Sequence, residues 1–130
     1  MSFAFSDKIP IYLQIMNLVK QDVVVGKLVS GEKLLSVREM AEKYSVNPNT
    51  VQRVYQELER ENIIFTQRGM GTFVTQDRSK IEEIKNGMAE ELVVSFLRGM
   101  ERLGFSGEET VEVLDKHIDM EGKHEQSIGD

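Results

Sequence analysis

Residues 36–75 read SVREMAEKYSVNPNTVQRVYQELERENIIFTQRGMGTFVT, and the punctuation of this stretch predicts two short helices joined by a tight turn and followed by a hairpin. Ser36 and Glu39 have the S-x-x-E spacing of a capping box, in which each side chain satisfies the other residue's free backbone N–H. Val37, Met40, Ala41 and Tyr44 then recur at i, i+3, i+4 and i+7, so one face of the first helix is apolar. Asn47 is a good N-cap and Pro48 takes the first helical position, where its missing N–H costs nothing. Val51, Val54, Tyr55 and Leu58 repeat the same stripe, so both helices bury a face in a shared core. Ile63–Thr66 and Thr72–Thr75 are rich in β-branched and aromatic residues and flank Gln67-Arg68-Gly69-Met70-Gly71, the tip of a two-stranded hairpin.

The face of the second helix left open carries Asn49, Thr50, Gln52, Arg53 and Gln56. Amide, hydroxyl and guanidinium groups on a short helix after a tight turn suit the base edges of a major groove. A polar helix face taken alone is usually just solvated. This one holds no acid through its first two turns, and Glu57 and Glu59 come only later, so donors and the positive helix N-terminus are free to meet a phosphate backbone. In the hairpin, Gly69 and Gly71 allow a tight tip with backbone N–H groups close to a partner, and Arg68 adds charge. As a phosphate loop of an enzyme this G-x-G is a weak signal, because it lies inside a hairpin instead of opening a helix. As the wing of a winged helix it stands in the expected place.

From about Lys8 to Thr75 the chain resembles the winged helix-turn-helix domain of GntR-family transcriptional regulators. The matching pieces are LLSVREMAEKYSVNPNTVQRVYQELERENII and TQRGMGTFV. The short region after the wing is similar to the YtrA-type subfamily in particular. The resemblance implies operator contacts from an arginine early in the first of the two helices, from a polar cluster opening the recognition helix, and from the wing glycine. By position these are Arg38; Asn47, Asn49, Thr50 and Gln52; and Gly69, beside Arg53, Arg68 and Gly71. Some members carry arginine where this chain has Pro48 and Gln52, so base preference does not transfer. The YtrA type also implies control of the protein's own operon, often with transporter genes.

The net charge of −6 conceals an asymmetry. Residues 1–76 hold nine Lys/Arg against eight Asp/Glu, and residues 77–130 hold seven against fourteen, or +1 and −7. The acid thus lies away from the face read as DNA-binding, and affinity follows local phosphate contacts instead of whole-chain charge. Lys8, Lys33, Arg38, Lys43, Arg53 and Arg68 make up the candidate positive footprint. The absence of cysteine excludes disulfides and thiolate metal sites and fits a reducing compartment. No apolar run approaches the roughly 20 residues of a membrane span, and MSFAFSDKIP lacks the features of a signal peptide, which points to the cytoplasm.

A first helix is expected from Pro10 to about Val25, with Tyr12, Ile15, Met16, Val19 and Val23 as its packing stripe. Gly26 to Lys33 reads as a loop. After a linker at Gln76–Ser79, in which Ser79 is a candidate cap, Ile81, Ile84, Met88, Leu92, Phe96, Met100 and Leu103 describe one long helix ending at Gly104. Ser106 and Glu109 form a second capping box, and Val111, Leu114 and Ile118 line a final helix. This two-helix hairpin has more apolar surface than one small domain covers, and burial against a copy of itself is the simplest solution. The tail from Gly122 is polar and expected to lack order. His117 and His124 do not stack on one helical face, so no metal site is expected.

The fold class expected is therefore mainly α with a small β-hairpin: a winged helix-turn-helix over 1–76, a helical dimerisation region over 77–121, and a tail over 122–130. The dimer contacts would come from Ile84, Met88, Leu92, Phe96, Met100, Leu103, Val111, Leu114 and Ile118. The expected function is a sequence-specific, homodimeric transcriptional regulator, a repressor before an activator, on an inverted-repeat double-stranded DNA operator. It needs no cofactor and no membrane, and any small-molecule effector would bind at the dimer interface or between the halves. Enzyme readings have no nucleophile, serine elbow or phosphate loop to rest on. The rival class is a winged-helix adaptor for protein–protein contact, which would not need Arg38, Arg53 and Arg68 around an acid-free face.

Overall fold

A computed structural model describes the backbone of residues 4–129 and the side chains of residues 4–122. Along them the chain forms α1 (Ile11–Val24), α2 (Val37–Tyr44), α3 (Pro48–Arg60), β1 (Ile64–Gln67), β2 (Gly71–Val74), α4 (Arg78–Arg102) and α5 (Gly107–Gly129). Contacts divide it into one compact unit that ends at Gly87 and another that begins at Met88. No helix among the described residues is long and apolar enough to cross a membrane.

In the first unit the predicted caps set the helix ends. Ser36 Oγ accepts from the Glu39 N–H at 3.1 Å while Glu39 Oε1 accepts from the Ser36 N–H at 3.0 Å, closing the capping box of α2. These hydrogen bonds, from the Ser36 backbone first and its hydroxyl second, hold the Glu39 carboxyl below its ordinary range. Ser45 ends α2 in the left-handed conformation, and Asn47 Oδ1 accepts from the Asn49 N–H at 2.8 Å to start α3.

Three helices and the hairpin then enclose one core. Ile15, Met16, Val19 and Val23 of α1 meet Met40, Ala41 and Tyr44 of α2 and Val51, Val54, Tyr55 and Leu58 of α3, with Leu34, Ile63, Ile64 and Val74 closing it. Each such aliphatic side chain, fully buried, contributes roughly 1.5–3 kcal/mol. Lys20 Nζ lies 3.2 Å from Glu61 Oε1 and ties α1 to the end of α3.

The hairpin pairs Ile64 with Val74 through Gln67 with Gly71 in antiparallel register, leaving Arg68, Gly69 and Met70 as the turn. Part of the stretch expected as a loop pairs with β2 through an isolated antiparallel bridge, Lys33 opposite Phe73. Gly31 N–H donates to Val74 O at 3.0 Å, Val74 N–H to Glu32 O at 2.9 Å, and Leu34 N–H to Thr72 O at 2.8 Å. Residues 31–34 therefore run antiparallel to β2. They satisfy the outer edge of the hairpin, because a two-stranded ribbon alone is marginal in water.

One further difference from expectation has a local cause. The start of α4 is capped by Asp77, not Ser79: Asp77 Oδ1 accepts from the Ser79 N–H at 3.0 Å, the Ser79 hydroxyl at 2.6 Å and the Lys80 N–H at 3.3 Å. A carboxylate accepts several bonds at once where a hydroxyl accepts fewer. Ile81 and Ile84, both half-buried, pack against the core of the first unit.

In the second unit, Ser106 and Glu109 close the predicted capping box at 3.1 and 2.9 Å. Thr110 is buried and donates its hydroxyl to Ser106 O at 2.8 Å. Beyond this corner α4 and α5 share no extensive contact among the described residues. The helix α5 continues to Gly129, through the tail expected to lack order; Glu, Lys and Gln there are good helix formers. The side chains from Lys123 onward, His124 included, lie outside the described residues.

Candidate nucleic-acid interface

Helix α3 puts its apolar stripe into the core and turns the other side outward. Asn49, Gln52, Arg53 and Gln56 are exposed and Thr50 half-exposed, and the first turn carries no acid. Of the later acids, Glu57 is bound to Arg60 at 2.6 Å and Glu61 to Lys20 at 3.2 Å. The first turn of α3 itself thus presents its donors and positive N-terminus without an acid of its own.

Two open grooves flank this helix start. Asn49, Thr50 and Arg53 line one together with Ile11 and Tyr12 of α1. Arg38 and Pro48 line the other with Ala41, Glu42, Ser45 and Val46 at the turn between α2 and α3. The site residues expected from α2 and α3 thus gather around the N-terminal half of α3. Asn47 is exposed too, but its side-chain oxygen is engaged in the cap, which leaves its amide NH2 for any outward contact.

In the wing, Arg68, Gly69 and Met70 are exposed. Gly69 has φ +79° with open space where a Cβ would stand, so its glycine is required by the turn and its backbone is accessible. Gly71 has φ +124°, and a Cβ there would come 2.6 Å from the Lys33 side chain. Lys33 therefore crosses the base of the wing over Gly71 and brings its charge to the hairpin. Lys8, Arg38 and Lys43 are exposed as well.

Two features escaped sequence reasoning. Tyr12, expected as core scaffold, lies under Arg53, whose guanidinium carbon is 3.7 Å from the ring centroid. The Tyr55 hydroxyl donates to Leu35 O at 2.5 Å and joins α3 to the residue before the α2 cap; burial pushes this phenol well above its ordinary range. Neither pairing has a local sequence signal, since the partners stand on different elements.

Known proteins resemble this chain in sequence and fold. The profile of the bacterial regulatory proteins of the gntR family matches residues 11–74. The HTH-type transcriptional regulator YhcF of Bacillus subtilis is 43% identical over 108 residues, 83% of this chain and 89% of that protein. The chain belongs to the GntR family. It is a family of DNA-binding transcriptional regulators, not of enzymes. The HTH-type transcriptional repressor YtrA of Bacillus subtilis is 39% identical over 98 residues, covering 71% of this chain and 75% of YtrA. A GntR-family regulator from Listeria monocytogenes matches with a TM-score of 0.80 and 43% identity, over 86% of this chain and 98% of that one. The GntR match ends at the last residue of β2, and the two longer likenesses extend past it into the region of α4 and α5.

The residues expected as dimer contacts stand as follows. Ile84 packs on the core of the first unit, and Met88 and Met100 are half-buried. Leu92 and Leu103 are 73% and 74% exposed, and Phe96, Val111, Leu114 and Ile118 are exposed too.

Proposed function

We propose that the protein is a repressor that binds an inverted-repeat operator as a homodimer, within the cytoplasm and upstream of its own operon. The observation that carries this reading is the exposed face of α3, acid-free through its first turn, with Arg38 and Arg53 beside it and the wing after it. Each α3 enters a major groove, with Asn49, Thr50, Gln52 and Arg53 shared between bases and phosphates. Arg38 and Arg68 grip the backbone, and the turn at Gly69 reaches the minor groove or the flanking phosphates, with Gly71 supporting it. The exposed apolar side chains of α4 and α5, among them Leu92, Phe96, Leu103, Val111, Leu114 and Ile118, support a self-association surface. Two-fold symmetry places the half-sites about one or two helical turns apart. The likeness to the repressor YtrA supports repression before activation.

The test is a salt titration of binding to DNA from upstream of the protein's own gene, against a scrambled fragment of equal length. Preference for the upstream fragment at physiological salt is expected. Replacing Arg38 and Arg68 together by alanine should weaken binding and lower the log–log salt slope by about 2, with self-association unchanged. Equal, weak, salt-sensitive binding to both fragments would sink the regulator reading and favour an adaptor that contacts proteins.

A further inference from the structure

The plane of Arg53 is set in the protein alone. Its guanidinium carbon lies 3.7 Å from the centroid of the Tyr12 ring, the distance of a guanidinium lying on an aromatic face. Tyr12 is half-buried and packs from α1 against the core, so the core holds the ring and the ring holds the arginine. Other cations of the unit differ. Arg60 is bound to Glu57 at 2.6 Å. Lys43 Nζ lies 5.2 Å from the Tyr44 ring, but an ammonium has no plane to fix. Arg53 engages the ring through its flat face and, among the described residues, donates no N–H to a hydrogen bond or ion pair. All its donors remain at the free edge.

A fixed plane matters for one class of acceptor more than another. A phosphate offers oxygens in several directions and accepts a guanidinium from many orientations, so holding the plane adds little. Guanine in a major groove presents O6 and N7 side by side in a single plane, and a bidentate pair forms only when the fork lies in that plane. Arg53 is also well sited for a base. It stands one turn after Asn49, and both line the same open groove with Thr50 and Tyr12.

We propose that Tyr12 is a positioning residue for base readout, holding the Arg53 guanidinium edge-on to a guanine of each half-site. The inference rests on the DNA-binding reading above and adds to it one base and one residue outside the helix-turn-helix.

The experiment selects binding sequences from a randomised DNA pool with the full chain and with Tyr12→Phe, Tyr12→Leu and Arg53→Lys. Each protein is then titrated on the selected site and on its single-base variants, at several salt concentrations. The original chain should select guanine at one position of each half-site. Tyr12→Phe, which keeps the ring, should preserve that choice. Tyr12→Leu and Arg53→Lys should each reduce the guanine preference there by roughly tenfold, with other positions and the salt slope unchanged because the charge is kept. The double variant should do no worse than either single one, since both remove the same interaction. A loosened domain would weaken every position together, so a loss confined to one position separates positioning from scaffolding. Arg53→Lys alters an exposed side chain and tests the guanine contact, and the folding of Tyr12→Leu is checked by circular dichroism, with Tyr12→Met as the substitute where it fails.

Unchanged guanine preference in Tyr12→Leu would overturn the inference alone, whatever Arg53→Lys does. So would uniform weakening across all sequences with a shallower salt slope, the mark of a phosphate contact. If the original chain selects no sequence at all, the regulator reading falls and this inference with it.

Discussion

Tyr55 sits on the inner face of α3, with its ring in the core and its hydroxyl donating to Leu35 O at 2.5 Å. The bond crosses from the recognition helix to the chain just before the capping box of α2, so it fixes one helix of the pair against the entry to the other. Removing the hydroxyl while keeping the ring leaves a carbonyl without its partner, which costs on the order of 1–3 kcal/mol. Tyr55→Phe should therefore lower the urea-unfolding free energy by that amount with little change in the m-value, and a fully stable variant would show that water replaces the phenol. Single residues also bounded what sequence could reveal of the site. Arg38, Asn49, Thr50, Gln52 and Arg53 were legible as facing outward because apolar periodicity assigns the opposite face to the core, and Arg68 because it stands beside the glycines of the hairpin tip. The partner of Arg53 was not, because Tyr12 also satisfies the stripe of α1 and reads as ordinary scaffold.

Among the elements, α2 and α5 start with the same device, and its charge makes their stability depend on pH. In each box the glutamate carboxyl accepts the backbone N–H of the capping serine, and this bond, ahead of the serine hydroxyl, holds Glu39 and Glu109 below the ordinary 4.5. A carboxyl lowered in the folded state adds stability that is fully present above its unfolded value and lost as pH falls through the folded one. Glu39→Gln keeps an acceptor but does not titrate. The unfolding midpoint of the original chain should exceed that of Glu39→Gln at pH 7, and the gap should close as pH falls below 4.5. A gap constant from pH 7 to pH 3 would show that the charge adds nothing to the cap. Helix starts of this kind were readable in advance because a capping box spans four consecutive residues. The start of α4 was misassigned to Ser79 because Asp77 and Ser79 both qualify, and acceptor capacity decides between them.

For the chain as a whole, the apolar surface of α4 and α5 is the feature a single copy leaves unsatisfied. Leu92 and Phe96 lie one turn apart and both are exposed. Replacing both by lysine should leave the winged unit folded and convert a dimer to a monomer in sedimentation equilibrium. Affinity for a two-half-site operator should then fall by about a hundredfold, as the second contact ceases to be intramolecular, while a single half-site binds as before. A dimer that survives the double replacement would move the self-association surface elsewhere. The fold itself was legible in local sequence wherever neighbours in the chain decide it: the two capped helices, the asparagine–proline start of α3, the glycine turn of the wing and the apolar period of α4 all follow from interactions within a few residues. The bridge of residues 31–34 to β2, the docking of Ile84 on the winged core, the Tyr55–Leu35 bond and the Arg53–Tyr12 stack needed the assembled chain. Each joins groups on separate elements, and a backbone edge, an apolar side chain or an aromatic face does not encode its partner until packing has brought the two into contact.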